Sequence, residues 1–255
     1  MVELKTDAEL AVMRSAGRVV GAALAAVRKE AAIGVSLLEL NEVAVGVLAD
    51  NGAGSSFRGY RPHFAPTPFP GVICASVNDV IVHGIPSAYR LRDGDLVSID
   101  FGASVGGFHG DAAISFTVGT PRPADLTLIA DTQAALDAGI AAAVVGGRLG
   151  DVSAAVGRIG RAAGYGIPPN FGGHGVGRAM HEDPSVPNEG VPGRGLKLRP
   201  GLVIAIEPMF IAGGRDPFVT DPDGWSLRTS DASRAAHIEH TIAVTESGPV
   251  ILTAP

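Results

Sequence analysis

The sequence predicts an α+β fold in which two duplicated halves face each other around a shared sheet. Three features carry that reading. Helix-cap signals open a pair of amphipathic runs in the first half, and a similar pair recurs in the second. Short apolar or alternating runs bounded by Gly, Pro, Asp or Asn follow each pair, as strands do. Finally, Leu91–Asp100 (LRDGDLVSID) returns as Leu198–Glu207 (LRPGLVIAIE), 107 residues later. Both read Leu-Arg-x-Gly, four residues, then Ile and a carboxylate. Ala8-Glu9-Leu10 and Ala124-Asp125-Leu126 repeat at a similar offset.

Each element has its own justification. Thr6–Glu9 (TDAE) and Ser36–Glu39 (SLLE) fit the capping box, in which the hydroxyl and the glutamate satisfy each other's backbone N–H groups. They open helices expected over residues 7–31 and 37–50, the second stopped by Asn51-Gly52. The counterparts are expected over 124–145 and 150–163, with Gly164 as the stop. Strands are expected over 72–77, 80–82, 96–101 and 113–118 in the first half. In the second they fall over 203–207, 226–229 and 236–245. No linker-like segment separates the halves, so residues 1–255 are expected to form one catalytic domain.

Composition narrows the function. The 255 residues are 46% hydrophobic and 18% charged, which supports a sizeable core and argues against disorder. A net charge of −6 argues against a general nucleic-acid or anionic-membrane binder. Cys74 is the single cysteine, so there is no disulfide framework and a cytoplasmic location is expected. The N-terminus, MVELKTDAEL, lacks the pattern of a signal peptide. Apolar stretches such as 19–27 are shorter than a bilayer span.

The acids are placed where charge is costly. Asp100 ends the apolar run 96–99, and Glu207 ends the run 202–206. Gly106-Gly107 reads as the turn of a hairpin that brings Asp100 near Asp111 across a ladder, where facing Cβ atoms lie roughly 4.5–5.5 Å apart. Carboxylates that close repel unless a cation or proton intervenes. Glu239 lies inside a strand, and alternation puts His237, Glu239 and Thr241 on one face, with Ile238, His240 and Ile242 on the other. Spacing does not say which of these histidines is structural. His174 is expected in a helix–loop segment, GGHGVG, whose glycines permit close backbone approach. That glycine string has no Lys-Ser/Thr of a phosphate-binding loop. Four carboxylates and an imidazole suit two divalent ions about 3.5–4 Å apart, which activate a water and polarise a carbonyl. The oxygen-rich set favours Mn, Fe(II) or Co over a structural zinc site. His83 and His181 sit beside Gly and Pro, as loop residues at strand ends do. His63, His109, His237 and His240 are expected to serve packing or surface.

Taken together, VHGIP, SIDFG, GFHGD, GGHGVGRAMHEDPSVPN, AIEPM and HIEHTIAVT resemble, in that order, the type I methionine aminopeptidases. The resemblance runs from Leu4 to Thr253. It implies the pita-bread (creatinase/aminopeptidase) fold, with pseudo-twofold halves around a central antiparallel sheet. It implies removal of N-terminal initiator methionine from nascent proteins and peptides when the next residue is small. Asp100, Asp111, His174, Glu207 and Glu239 then match the metal ligands, with Asp111 and Glu239 bridging two divalent ions (Mn, Fe(II), Co or Zn). Glu207 matches the proton shuttle. His181 matches the residue that stabilises the scissile carbonyl or oxyanion, and His83 the one that contacts the scissile amide. Binding of the substrate's free α-amine to a metal would explain cleavage only at the N-terminus. Tyr60, Phe69, Cys74, Met180 and Trp225 match the methionine pocket, with Phe64 as an alternative to Phe69. The segment between Tyr60 and Cys74, RPHFAPTPFPGVI, is longer than the resemblance predicts, which bears on substrate range rather than chemistry. Only 25 residues separate His181 from Glu207, too few for the insert of type II enzymes. Nothing resembling a zinc finger or ribosome-binding extension precedes the domain, as in bacterial members. A monomer acting on nascent chains at the ribosome is expected, with neither nucleic acid nor membrane as a partner. The alternatives are a proline-directed aminopeptidase and a non-catalytic peptide-binding protein of the same fold.

Overall fold

The computed structural model describes residues 2–63 and 65–254. Both predicted capping boxes form. The Thr6 and Ser36 hydroxyls accept from the Glu9 and Glu39 N–H groups, and each glutamate accepts from its cap residue's N–H. They start α1 (Asp7–Glu30) and α2 (Leu37–Asp50). The first half continues through β1 (Gly54–Ser55), β2 (Ile73–Val77), β3 (Val80–Val82), β4 (Leu96–Val105) and β5 (Phe108–Thr117). The second repeats the helix pair as α3 (Pro123–Ala142) and α4 (Leu149–Ala162). It then adds β6 (Gly172–Gly175), β7 (Glu182–Pro187), β8 (Val203–Ile206) and β9 (Met209–Ile211). The last strands are β10 (Phe218–Thr220), β11 (Leu227–Thr229), β12 (Ala235–His237), β13 (Glu239–Thr245) and β14 (Gly248–Ile251). Several elements differ from expectation: α3 ends three residues early, and β1, β6, β7, β9, β10 and β14 lie outside the expected strands. The hairpin strands run up to the Gly106-Gly107 turn, and the expected strand 236–245 is split at Ile238.

The main sheet is antiparallel throughout, in the order β1-β4-β5-β13-β8-β6-β7. β2 also pairs with β4, and β14 with β13. The duplication appears in the hydrogen bonds. Gly34 N–H donates to the Leu91 carbonyl and Leu91 N–H to that of Val35; Gly146 and Leu198, then Leu198 and Gly147, repeat the exchange. Each helix pair covers its own part of the sheet. Val20, Val27, Leu40 and Leu48 pack on Ile99 and Phe101, while Leu128, Leu136, Val152 and Val156 pack on Ile204, Ile206 and Ile242. Strand β13 joins the halves, pairing with β5 through Glu239 and His240 and with β8 through 240–243.

By length and composition alone, α1 is apolar enough to cross a membrane. This differs from the sequence expectation, because the window reaches beyond 19–27. Half of that window is buried, and Val20, Ala23 and Val27 belong to the core described above.

Candidate metal centre

Asp100 and Asp111 reach the site from neighbouring strands, but they do not face each other. Asp100 pairs with Ala113, and Asp111 with Gly102, so the acids are diagonal neighbours on one face. They lie near each other across the ladder, as expected, but two pairs apart rather than face to face, as a turn at Gly106-Gly107 requires. The absent side chain at Gly102 matters: a Cβ there would press on Ser56 and on Phe57 and Met180, the last two of which wall the adjoining pocket. Asp111 is further fixed by Thr241, whose hydroxyl accepts from the Asp111 N–H and donates to its carbonyl.

His174 comes from strand β6, not from a helix–loop segment. Its glycine neighbours make the strand possible: a Cβ at Gly173 would collide with the Ala205 carbonyl of β8. The ring is oriented by Nδ1–H donating to the Gly175 carbonyl, 2.8 Å away. Its Nε2 then points to Asp111 Oδ2 at 3.7 Å and Glu207 Oε1 at 3.9 Å. A histidine with one nitrogen tied to a carbonyl and the other bare beside carboxylates has the form of a metal-ligating imidazole. Burial would lower its pKa, but Asp111 and Glu207 outweigh that and raise it.

Glu207 follows β8 directly, its backbone carbonyl accepting from Asn188 Nδ2 at 3.0 Å. Glu239 opens β13 and is 1% exposed. Burial pushes the Asp100 and Glu239 carboxyls well above the usual range, and the neighbouring carboxylates add to it. Among the described residues, Asp100 Oδ1, Asp111 Oδ1 and Glu239 Oε1 are buried without a hydrogen-bond partner. Ligand atoms of Asp111, His174 and Glu239 lie within 4.8 Å of one another. Buried acids with orphaned oxygens and a bare imidazole nitrogen are the donor set that divalent cations take.

Sequence reasoning assigned His237 to packing, and the structure qualifies that. It is buried as expected, yet its Nε2 lies 3.4 Å from Glu207 Oε2 and 3.7 Å from Glu239 Oε2. The alternation that put it on the Glu239 face was the signal for it. The other three follow expectation. His240 turns away to Thr253, His109 meets Ser56, and His63 is exposed.

The carboxylates line one side of a cavity of about 310 Å³. Phe57, Tyr60, Phe69, Cys74, Met180 and Trp225 form the apolar side. All five pocket residues named from the sequence are there, and Phe57 is an addition. Phe64 lies outside the described residues. The long segment after Tyr60 folds back over this pocket: Phe69 meets Trp225 edge-on at 5.1 Å, and Trp225 Nε1 donates to the Thr67 carbonyl. Cys74 pairs with Asp100 across β2 and β4; burial and the nearby acids push its thiol well up.

His83 and His181 stand at the cavity between acids and pocket. His83 follows β3 with φ 60°, a left-handed conformation rare outside glycine and typical of functional sites. Burial, then His237, lowers its pKa to about 4. His181 precedes β7 at the mouth, stacked on Tyr60 at 5.2 Å and lying 4.0 Å from the His174 ring. Its outer edge is exposed, but the atoms packed around it, and then His174, still hold its pKa down. Both are neutral N–H donors near pH 7.

Acids, imidazoles and an apolar pocket in one cavity define a metal-dependent hydrolase, and the comparisons agree. The model of metallopeptidase family M24 matches residues 11–246. Methionine aminopeptidase 1 of Mycobacterium tuberculosis is 52% identical over 99% of this chain and 95% of its own. Methionine aminopeptidase 1 of Bacillus subtilis is 42% identical over 99% of both. A crystal structure of methionine aminopeptidase from Thermotoga maritima superposes with a TM-score of 0.95, at 38% identity and full coverage of both chains. A prolidase from Pyrococcus furiosus shares the fold at a TM-score of 0.77 and 24% identity, over 99% of this chain and 65% of its own. The chain belongs to metallopeptidase family M24, on its methionine aminopeptidase branch.

Proposed function

We propose that this chain is a cytoplasmic aminopeptidase that hydrolyses the N-terminal methionine from nascent proteins and peptides whose second residue is small. One observation supports this above the others: a buried acid–imidazole cluster opens onto an apolar, sulfur-lined pocket of side-chain size. Met180 and Cys74 offer polarisable sulfur, and Tyr60, Phe69 and Trp225 offer ring faces and edges, which suit a thioether. Residues 1–255 act as a single catalytic unit and as a monomer.

Asp100, Asp111, His174, Glu207 and Glu239 would hold two divalent ions, drawn from Mn, Fe(II), Co and Zn. Such ions, when bound, lower the pKa of water and polarise a carbonyl. The remaining roles fall to the chain. The pocket seats the methionine side chain and fixes the scissile bond beside the acids. Glu207 accepts the proton of the attacking water and delivers it to the leaving amine. His181 donates an N–H to the carbonyl oxygen as charge develops there. His83 donates to the scissile amide. Because both histidines are neutral, they donate without placing positive charge beside the cations.

The test is to strip the protein of metal, restore Mn(II) or Co(II), and measure methionine released from Met-Ala-Ser beside an Ala-Pro control. Metal-dependent release of methionine alone supports the proposal. Cleavage of the control instead would assign a proline-directed activity. No cleavage of either, with metal binding confirmed, would leave a binding protein.

A further inference from the structure

The five proposed ligands leave one buried polar atom at the centre without a function. His237 Nε2 is buried and has no hydrogen-bond partner among the described residues, although the residue is only 2% exposed. Such an atom is costly to keep, and an apolar side chain would fill the space without that cost. The backbone of His237 is tied to the hairpin strand beside it. Ser115 of β5 donates its hydroxyl to the His237 carbonyl at 2.8 Å and accepts from its N–H at 3.0 Å. Ser98 of β4 meets Ser115 in turn at 2.8 Å. The hairpin that carries Asp100 and Asp111 therefore also sets the position of His237.

The Glu207 oxygens face opposite ways. Oε1 looks toward His174, and Oε2 toward His237. With both acids ionised and no cation lodged between them and the ring, a bare Nε2 lone pair facing Oε2 of Glu207 and Glu239 would be repelled, which favours the tautomer that carries its hydrogen on Nε2. A protonated nitrogen cannot also ligate a cation. We propose that His237 is a positioning residue for the metal centre. Its Nε2–H is shared by the far oxygen of Glu207 and the near oxygen of Glu239, and it aims Glu207 Oε1 toward the side of Asp111 and His174. Partners of this kind outside the ligand set typically govern metal affinity by about 10–100-fold. At 3.4 Å the contact is longer than an ordinary N–H···O bond, and the proposal requires it to shorten when the acids take up a cation.

The inference rests on the metal assignment above, and one titration separates their failures. Mn(II) binding to the metal-stripped protein is measured by calorimetry for the wild type, His237→Leu and His237→Gln. A wild type that binds no Mn(II) sinks the metal assignment itself. If it binds, His237→Leu should bind about 10–100-fold more weakly, and His237→Gln, whose amide restores an N–H, should recover most of that loss. At saturating Mn(II), kcat should fall in His237→Leu while KM for a Met peptide holds. Leu and wild type binding alike would reduce His237 to packing and overturn the proposal. Pulsed EPR of Mn(II)-loaded wild type needs no variant, so it decides even if His237→Leu does not fold. Coupling to one imidazole, that of His174, is expected; coupling to two would make His237 a ligand and overturn the positioning role.

Discussion

Replacing Glu239 with Gln should stabilise the protein without metal and destabilise it with metal. The side chain is 1% exposed, and its Oε1 has no partner among the described residues. Its nearest approach to Asp111 is within 4.8 Å. At that separation two unit charges repel by about 3 kcal/mol at an effective dielectric of about 20. For a chain of this size that is about 6–12 °C in Tm. The sign follows from the raised pKa, caused first by burial and then by Asp111, Glu207 and Asp100. Folded Glu239 keeps its proton to higher pH than the unfolded chain does. Its contribution to stability is fully present below the ordinary glutamate pKa of about 4.3 and is lost as pH rises toward the folded value. The Gln variant escapes that loss, so in EDTA its advantage should be small near pH 4.5 and grow toward pH 8.5. Mn(II) at about 1,000 times its dissociation constant adds about 4 kcal/mol to the wild type, and far less to the variant. The order of melting temperatures should therefore invert between EDTA and Mn(II), as read by calorimetry across that pH range. A variant that melts below wild type in EDTA at pH 8.5, or gains as much from Mn(II), would refute the reasoning.

Three further outcomes are expected. Glu207→Gln should lower kcat by about 10²–10⁴-fold if Glu207 carries the proton, as steady-state methionine release will show. Gly173→Ala would force β6 from β8 against the Ala205 carbonyl and displace His174. It should lower both Tm and Mn(II) affinity, whereas Gly46→Ala inside α2, which meets nothing within 4 Å, should leave Mn(II) affinity unchanged and raise Tm slightly, because alanine favours the helix. The capping boxes set an acid limit. Hydrogen bonds from Thr6 and Ser36 hold Glu9 and Glu39 below the ordinary glutamate pKa. Their contribution is present above about pH 4.3 and lost as pH falls through the folded values. Thr6→Ala with Ser36→Ala should therefore cost more stability at pH 7 than at pH 3, by thermal melts.

The parts of this fold that the sequence showed plainly were those with a local physical cause. Capping boxes are written in four residues, and both formed. Asp100 and Glu207 stood out because each ends an apolar run, where a charge requires a partner. The repeat between 91–100 and 198–207 became a repeated exchange of backbone hydrogen bonds at Leu91 and Leu198. What failed depended on distant neighbours. GGHGVG has no strand propensity of its own; it is a strand because its bare backbone fits against β8 and β7. Phe57 entered the pocket only through tertiary packing. Alternation put His237 on the Glu239 face and His240 on the other, but spacing did not say which of these histidines is structural.

The centre draws Asp100 and Asp111 from one half and His174, Glu207 and Glu239 from the other, across β13. Glu239 is 139 residues from Asp100 along the chain, so the centre is a non-local assembly. Contacts that distant form late, because chain closure must be met before they contribute. Each helix pair, with its own share of core, can gather earlier from nearer contacts. A refolding chain should therefore regain helical signal before it can grip a metal ion, and the capacity for catalysis arrives as one of the last events of folding.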